Sequence, residues 1–312
     1  MMSHPGKSRD RAPKWLEISP DYQCNNRCVG CFSVQDSGEG MDNRQVVEAL
    51  VSGRRRGARG LWLGGGEPTL RRDLPKMMLQ ARKLGYERIK VQTNGMMLGY
   101  PNYVKTCVKA GMSEVNFSIK GASAESHDRL TQTPGCFDAM LKGIAAVREA
   151  GLPMEGDILV YASNVEELPE MVRFYTELGI GRYNIWLLSA VDAKESTVAN
   201  EVPRIGAVMP PLMKAMSLGL SSAPDFITSL HTPPCTIPKG FEACEFFAAD
   251  LDLLVANPDG YSFWLEESPI EGGHYFERCG GCAARGRCGG VREEYLRLYG
   301  GEEFQPLDGR LL

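Results

Sequence analysis

The stretch "WLEISPDYQCNNRCVGC", Trp15 to Cys31, decides how the rest of the chain is read. "WLEI" is short, apolar and closed by Ser19-Pro20, which predicts a strand. Cys24, Cys28 and Cys31 follow, with three and then two residues between them. The nearest other thiol or imidazole candidates in sequence, His4 and Cys107, fall in the amino-terminal stretch and in a predicted helix. The loop after the first strand therefore offers three metal ligands where a tetrahedral site wants four.

From Trp15 to about Ala190, short apolar runs alternate with amphipathic ones. Val46, Val47, Leu50 and Val51 recur at helical spacing, with Asp42 placed as an N-cap. "GLWL", "RIKVQ", "EVNFSI", "MEGDILVY" and "YNIWLL" read as further strands, each followed by a helical segment or a turn. Gly85, Gly111, Gly151 and Gly179 stand where helices should end. About six βα units in succession imply a parallel sheet wound as a partial (β/α)6 TIM-like barrel, an α/β fold. The rhythm stops near Ala190, and a further helix is expected over Ile205 to Leu218. Beyond Ser221 the chain is rich in Pro, Gly and Cys, and "DLDLLVANPDGYSFW" reads as a hairpin turned at "NPDG". The expected organisation is a solvated tail over 1–14, the barrel over 15–220 and a small metal-stapled module over 221–312.

Composition sets outer limits. The 312 residues are 43% hydrophobic and 24% charged, ordinary for a globular chain. A formal net charge of -4 offers no general basic field for nucleic acid. No apolar run reaches the length of a membrane span, and the start lacks the apolar core of a secretory signal. The 10 cysteines are clustered rather than spread, which points to metal sites in a reducing cytoplasm instead of a secreted disulfide scaffold.

Three thiolates on one loop can hold three corners of an iron–sulfur cube and leave one iron open. Such a loop, at the carboxyl end of the first barrel strand, resembles the radical S-adenosylmethionine (SAM) superfamily. The resemblance implies a [4Fe-4S] cluster on Cys24, Cys28 and Cys31 whose open iron chelates the amino and carboxylate groups of SAM. It further implies reductive cleavage of SAM to a 5′-deoxyadenosyl radical that abstracts hydrogen from the substrate. The family usually carries an aromatic residue just before the third cysteine. Here Gly30 stands there, with Phe32 and Tyr22 as nearby aromatic substitutes.

"LGGGEPTL" follows the second strand. As a sequence it reads equally as a tight βα turn. One unit after the cysteine loop it resembles the family's GGE motif, which assigns Gly64, Gly65, Gly66 and Glu67 to the SAM ammonium. The same resemblance places Asn94, in "QTNG", and Ser118, in "NFSIKG", against SAM. Where the family commonly has Asp-Gly, this chain has Lys120-Gly121. His127, Arg129 and Asp157 are weaker candidates.

"CGGCAARGRC" places Cys279, Cys282 and Cys288 together. It resembles the SPASM or twitch module that holds an auxiliary [4Fe-4S] cluster. The full SPASM pattern wants a cysteine where Arg292 stands, so a single-cluster, twitch-like module is expected. Cys235 is the favoured fourth ligand, with Cys244 as the competitor and zinc as an alternative metal. Cys107 and Cys136 read as small buried apolar residues.

The expected function is a radical SAM enzyme acting on a small molecule or a peptide, its auxiliary cluster passing electrons or anchoring substrate, with flavodoxin or ferredoxin as electron donor. Only about fourteen residues precede the first strand, so no fused leader-binding domain is expected, and a peptide substrate would come with a separate leader-binding partner. The competing class is a non-catalytic, metal-stapled interaction protein.

Overall fold

The computed structural model describes residues 11–31, 39–190, 196–219, 226–241, 247–260, 262–268 and 272–308. Six βα units run in chain order. β1 (Trp15–Ile18) leads through the cysteine loop to α1 (Asn43–Arg55). β2 (Gly60–Leu63) is followed by α2 (Leu74–Lys83), and β3 (Arg88–Thr93) by α3 (Pro101–Ala110). β4 (Glu114–Ile119) precedes α4 (Ala124–Thr131) and α5 (Cys136–Glu149). β5 (Met154–Val160) precedes α6 (Leu168–Glu177), and β6 (Arg182–Leu187) precedes α7 (Ser196–Ala199) and α8 (Ile205–Gly219). Local chemistry sets these limits. Asp42 and Gln45 close a reciprocal capping box at the start of α1. Gly111 ends α3 at φ 113°, which a side chain would resist.

The sheet order is β7-β6-β5-β4-β3-β2-β1-β8-β9. β7 (Ile227–Ser229) adds parallel to β6, and β8 (Leu253–Ala256) adds parallel to β1. β9 (Ser262–Trp264) returns antiparallel on β8, as the "NPDG" hairpin predicts. The boundary expected near residue 220 therefore does not interrupt the sheet. Carboxyl-terminal strands flank both edges of the six-unit core, because backbone groups at either edge need partners. Two strands, β7 and β9, remain unpaired on their outer sides among the described residues, so the wall is an open barrel.

The tail boundary also shifts. Pro13 is buried, and Arg11 pairs with Asp252 and Glu266 while stacking 3.9 Å over Trp264. Arg11 thus packs on the hairpin and Pro13 is covered, while Ala12 and Lys14 stay exposed; residues 1–10 fall outside the described residues.

Alternation along the strands gives the wall two different faces. Leu16, Ile18, Leu61, Leu63, Val91, Val115 and Phe117 turn toward the helices and form the main core. The other face looks into the barrel and is largely polar, with Glu17, Lys90, Gln92, Asn116, Asp157 and Asn184 at alternate positions. Barrel interiors are ordinarily filled by branched apolar side chains. Trp15 and Trp62, edge to face at 6.1 Å, fill only the floor.

Candidate active site

The cysteine loop is held by bonds that its sequence does not announce. Arg27 and Val29 donate their N–H groups to the carbonyls of Thr131 and Leu130 at the end of α4. Tyr161 Oη donates to the Val29 carbonyl at 3.0 Å. Arg71 gathers the carbonyls of Pro20 and Met41 and the carboxylate of Asp21, while its other nitrogens grip Asp73. Sequence patterning could not single out Arg71 or Tyr161, since both act through long-range contacts.

Cys24, Cys28 and Cys31 are free thiols, each partly exposed. Burial raises Cys24 to about 11. Burial also raises Cys28, against the pull of the nearby Lys120 ammonium. The thiols lie close enough that each charge disfavours the next. No three of the described His, Cys, Asp or Glu side chains converge tightly enough to hold one metal ion. A cube asks for no such convergence, since each thiolate binds its own iron. Three free thiols on one anchored loop fit that donor set, and loading it would release their protons.

Gly30 explains the missing aromatic. Its φ is +70°, and a Cβ there would lie 2.8 Å from Leu188 Cδ1 and 3.0 Å from Val198 Cγ1. An aromatic side chain at this position has no room. Of the two substitutes, Phe32 lies outside the described residues, and Tyr22 presents its backbone to Gly66.

The glycine run meets the loop through its backbone. A Cβ on Gly66 would fall 2.2 Å from the Gln23 carbonyl oxygen, so only glycine permits this approach. The Gly66 and Glu67 N–H groups donate to the carbonyls of Asp21 and Gln23. Glu67 is buried, and its carboxylate is filled from within the chain. Oε1 accepts from Thr69 N at 3.1 Å and from Thr93 Oγ1 at 2.7 Å. The Thr69 hydroxyl adds a third bond to Oε1, and Asn94 N–H occupies Oε2 at 2.7 Å. Burial still pushes its pKa up, which these bonds oppose. Asn94 in turn donates through Nδ2 to Asn25 Oδ1 at 2.7 Å, beside Cys24. Glu67 thus braces the cysteine loop through Asn94.

Ser118 Oγ accepts from Lys120 Nζ at 2.8 Å. Lys120 is 6% exposed and faces Cys28, so it brings positive charge to the three-thiol site. Behind the loop, Cys136 Sγ accepts from Asn26 Nδ2 at 3.2 Å and lies 3.8 Å from His127 Nε2. His127 Nδ1 accepts from the Lys120 N–H, which assigns the proton to Nε2, toward the sulfur. Burial holds this imidazole neutral, with a pKa lowered to about 3. Cys136 is buried as expected, but its sulfur acts as an acceptor supporting Asn26. Arg129 is a surface residue bonded to Ser163.

The late cysteines also gather. Burial and then the charges of Cys288, Cys282 and Cys279 push Cys235 up to about 12, so all four thiols are neighbours. They line one small cavity with Phe276 and Val291. Gly290 N–H donates to Cys288 Sγ and Leu307 N–H to Cys282 Sγ, each at 3.3 Å. Cys244 lies outside the described residues. Arg292, standing where a further cysteine is wanted, donates to the carbonyls of Leu187 and Leu188 at 3.1 and 3.0 Å. It ties this module to the end of β6.

A family model described as the radical SAM superfamily matches residues 18–187. The chain belongs to the radical SAM superfamily, whose members are iron–sulfur enzymes that bind SAM. A probable GTP 3′,8-cyclase of Saccharolobus solfataricus is 27% identical over 173 residues, covering 54% of this chain and 55% of that one. An AdoMet-dependent heme synthase of Methanosarcina barkeri is 31% identical over 180 residues, covering 57% and 51%. The chain therefore spans about half the length of these curated relatives. Streptococcus suis SuiB, bound to precursor peptide SuiA, shares the fold with a TM-score of 0.67 at 15% identity, covering 96% of this chain and 76% of SuiB. The anSMEcpe protein with bound AdoMet and Cp18Cys peptide gives 0.64 at 14% identity, covering 94% and 93%. No described helix is long and apolar enough to cross a membrane.

Proposed function

We propose that Cys24, Cys28 and Cys31 hold a SAM-binding [4Fe-4S] cluster and that the chain uses it to remove a hydrogen atom from a small molecule or a peptide. The observation that carries this is the three neighbouring thiols on the loop after β1, braced by Glu67 and Asn94 and facing Lys120. When bound, the cluster and SAM would supply one-electron cleavage of SAM to methionine and a 5′-deoxyadenosyl radical. The chain's own residues orient and enclose. Carbonyls of Gly64, Gly65 and Gly66 would accept from the SAM ammonium, and Ser118 with Lys120 would face its carboxylate. A low-potential donor of the flavodoxin or ferredoxin kind would provide the electron, which suits a reducing cytoplasm.

Cys235, Cys279, Cys282 and Cys288 would hold an auxiliary [4Fe-4S] cluster, as their mutual proximity supports. Relatives named as GTP cyclases favour a small molecule, whereas the fold neighbours SuiB and anSMEcpe carry peptides.

The test is anaerobic reconstitution with iron and sulfide, followed by SAM and dithionite. 5′-Deoxyadenosine and methionine should form in equal amounts, and iron should reach about eight per chain for two cubes. A fully loaded protein that leaves SAM intact would establish the non-catalytic reading instead.

A further inference from the structure

The barrel interior below the glycine run carries polar groups that the cysteine loop does not use. Glu17 projects inward from β1, and its Oε1 lies 3.0 Å from where a Gly64 Cβ would stand, with Gln92 Oε1 nearby. Among the described residues, the Glu17 carboxylate has no hydrogen-bond or ion-pair partner. Across the lumen, Asp157 is buried and accepts from Gln92 Nε2 at 3.1 Å and Asn184 Nδ2 at 2.9 Å. Asn116 is 0% exposed and lies between Val115 and Phe117, which face the helices, so it points into the lumen. It lies close enough to Asp157 to favour the ionised acid, yet neither Nδ2 nor Oδ1 closes a hydrogen bond of normal geometry. Trp186 Nε1, also inward, stands in the same relation to Asp157, close enough to favour the ionised acid but without a hydrogen bond of normal geometry. Buried amide and indole groups without partners are costly, and they become reasonable where a ligand completes them.

The charge balance says what kind of ligand. At the floor, Arg88 pairs with Glu114, and Lys90 pairs with Glu155 and Glu114. Arg182 stands at the register position beside Glu155. Lys90 Nζ is further engaged 4.4 Å from the Trp62 ring centre. The floor cations are thus committed, and no described cation pairs with Glu17 or Asp157. Lys120 sits at the opposite, upper end, on Ser118. The two acids face each other in a low-dielectric interior, where only Lys90, already paired with Glu114 and Glu155, favours the ionised Asp157, and burial with the Asp157 charge raises Glu17 to about 7.

We infer that the lumen between Glu17 and Asp157, with Asn116 on its wall, binds a basic nitrogen of the substrate, an ammonium or guanidinium group. This rests on the reading that substrate occupies the barrel beneath the cysteine loop. The cation would sit between the two acids, and Asn116 would exchange hydrogen bonds with the polar atoms next to it. A neutral group of equal size would leave Glu17 without a partner and Asp157 with only its bonds to Gln92 and Asn184.

The test compares n-butylammonium with n-butanol on the full-length, cluster-loaded protein with SAM, by ligand-detected NMR titration. The amine should bind at least tenfold more tightly, about 1.4 kcal/mol. Glu17→Gln and Asp157→Asn, each checked for iron content and far-ultraviolet circular dichroism, should each cut that preference severalfold. Equal affinities, no saturable amine binding, or a preference unchanged in both variants would overturn the inference, and the wild-type ratio needs no variant to be read. 5′-Deoxyadenosine formation is measured on the same sample. Product without amine preference overturns the lumen assignment alone, and amine preference without product overturns reductive cleavage alone.

Discussion

Glu67 Oε2 accepts the backbone N–H of Asn94 at 2.7 Å, and this bond joins the glycine run after β2 to the turn after β3. Asn94 then reaches Asn25 between the first two cysteines. Three consecutive strand ends are thereby fixed relative to one another, the kind of preorganisation a cofactor site requires.

Removing that acid should unlock the site. Glu67→Ala strands the buried N–H groups of Asn94 and Thr69, at about 1–3 kcal/mol each. A loss of about 2–5 kcal/mol in denaturant unfolding is expected, together with weaker SAM binding. A loss under about 1 kcal/mol would show that these bonds are not formed in solution.

Replacing Cys24, Cys28 or Cys31 singly by Ala should remove about four irons per chain and all 5′-deoxyadenosine production, leaving the late site loaded. Cys136→Ala should retain full iron, because its sulfur accepts from Asn26 rather than completing the cluster. A drop of about four irons in Cys136→Ala would make it the fourth ligand and close the open corner.

Cys235→Ser should lower iron by about four with the first cluster intact, and Cys244→Ser should not. The reverse pattern, measured by iron and sulfide analysis, would move the ligand to the segment outside the described residues.

Glu17 gives stability a pH slope. Its pKa is raised from 4.5 to about 7 by burial first and by Asp157 second. As pH rises from 4.5 toward 7, the unfolded chain gives up this proton while the folded chain keeps it, so stability falls through that window and levels off above it. Other lumen charges, on Lys90, Glu114, Glu155 and Asp157, are common to both proteins. Glu17→Gln should therefore match wild type near pH 4.5 and exceed it by about 2 kcal/mol at pH 8. Equal midpoints across that range would mean Glu17 ionises normally.

His127 should show no imidazole titration between pH 5 and pH 8 by NMR, since burial keeps it neutral to about 3. The unfolded chain binds that proton near 6.5, so acidification below this value removes stability.

Much of this protein was legible in its residue order. The βα rhythm, the hairpin at "NPDG" and the three-thiol loop follow from local spacing, capping and turn chemistry, which neighbouring residues decide among themselves. Cys235 stood out as a ligand candidate because it lies in a proline-bound segment, but its nearness to Cys279, Cys282 and Cys288 comes only with the fold.

Tertiary structure alone decided the rest. Only the fold shows that β7 and β8 extend the barrel sheet on opposite edges, that Arg11 docks on Trp264, and that Arg292 clamps the end of β6. The lumen acids belong here too. Glu17 and Asp157 are 140 positions apart, and nothing near either one marks it as facing the other. The physical reason is range: a period of two assigns a residue to one face of a strand, whereas which charges share that face depends on strand order and register across the whole sheet.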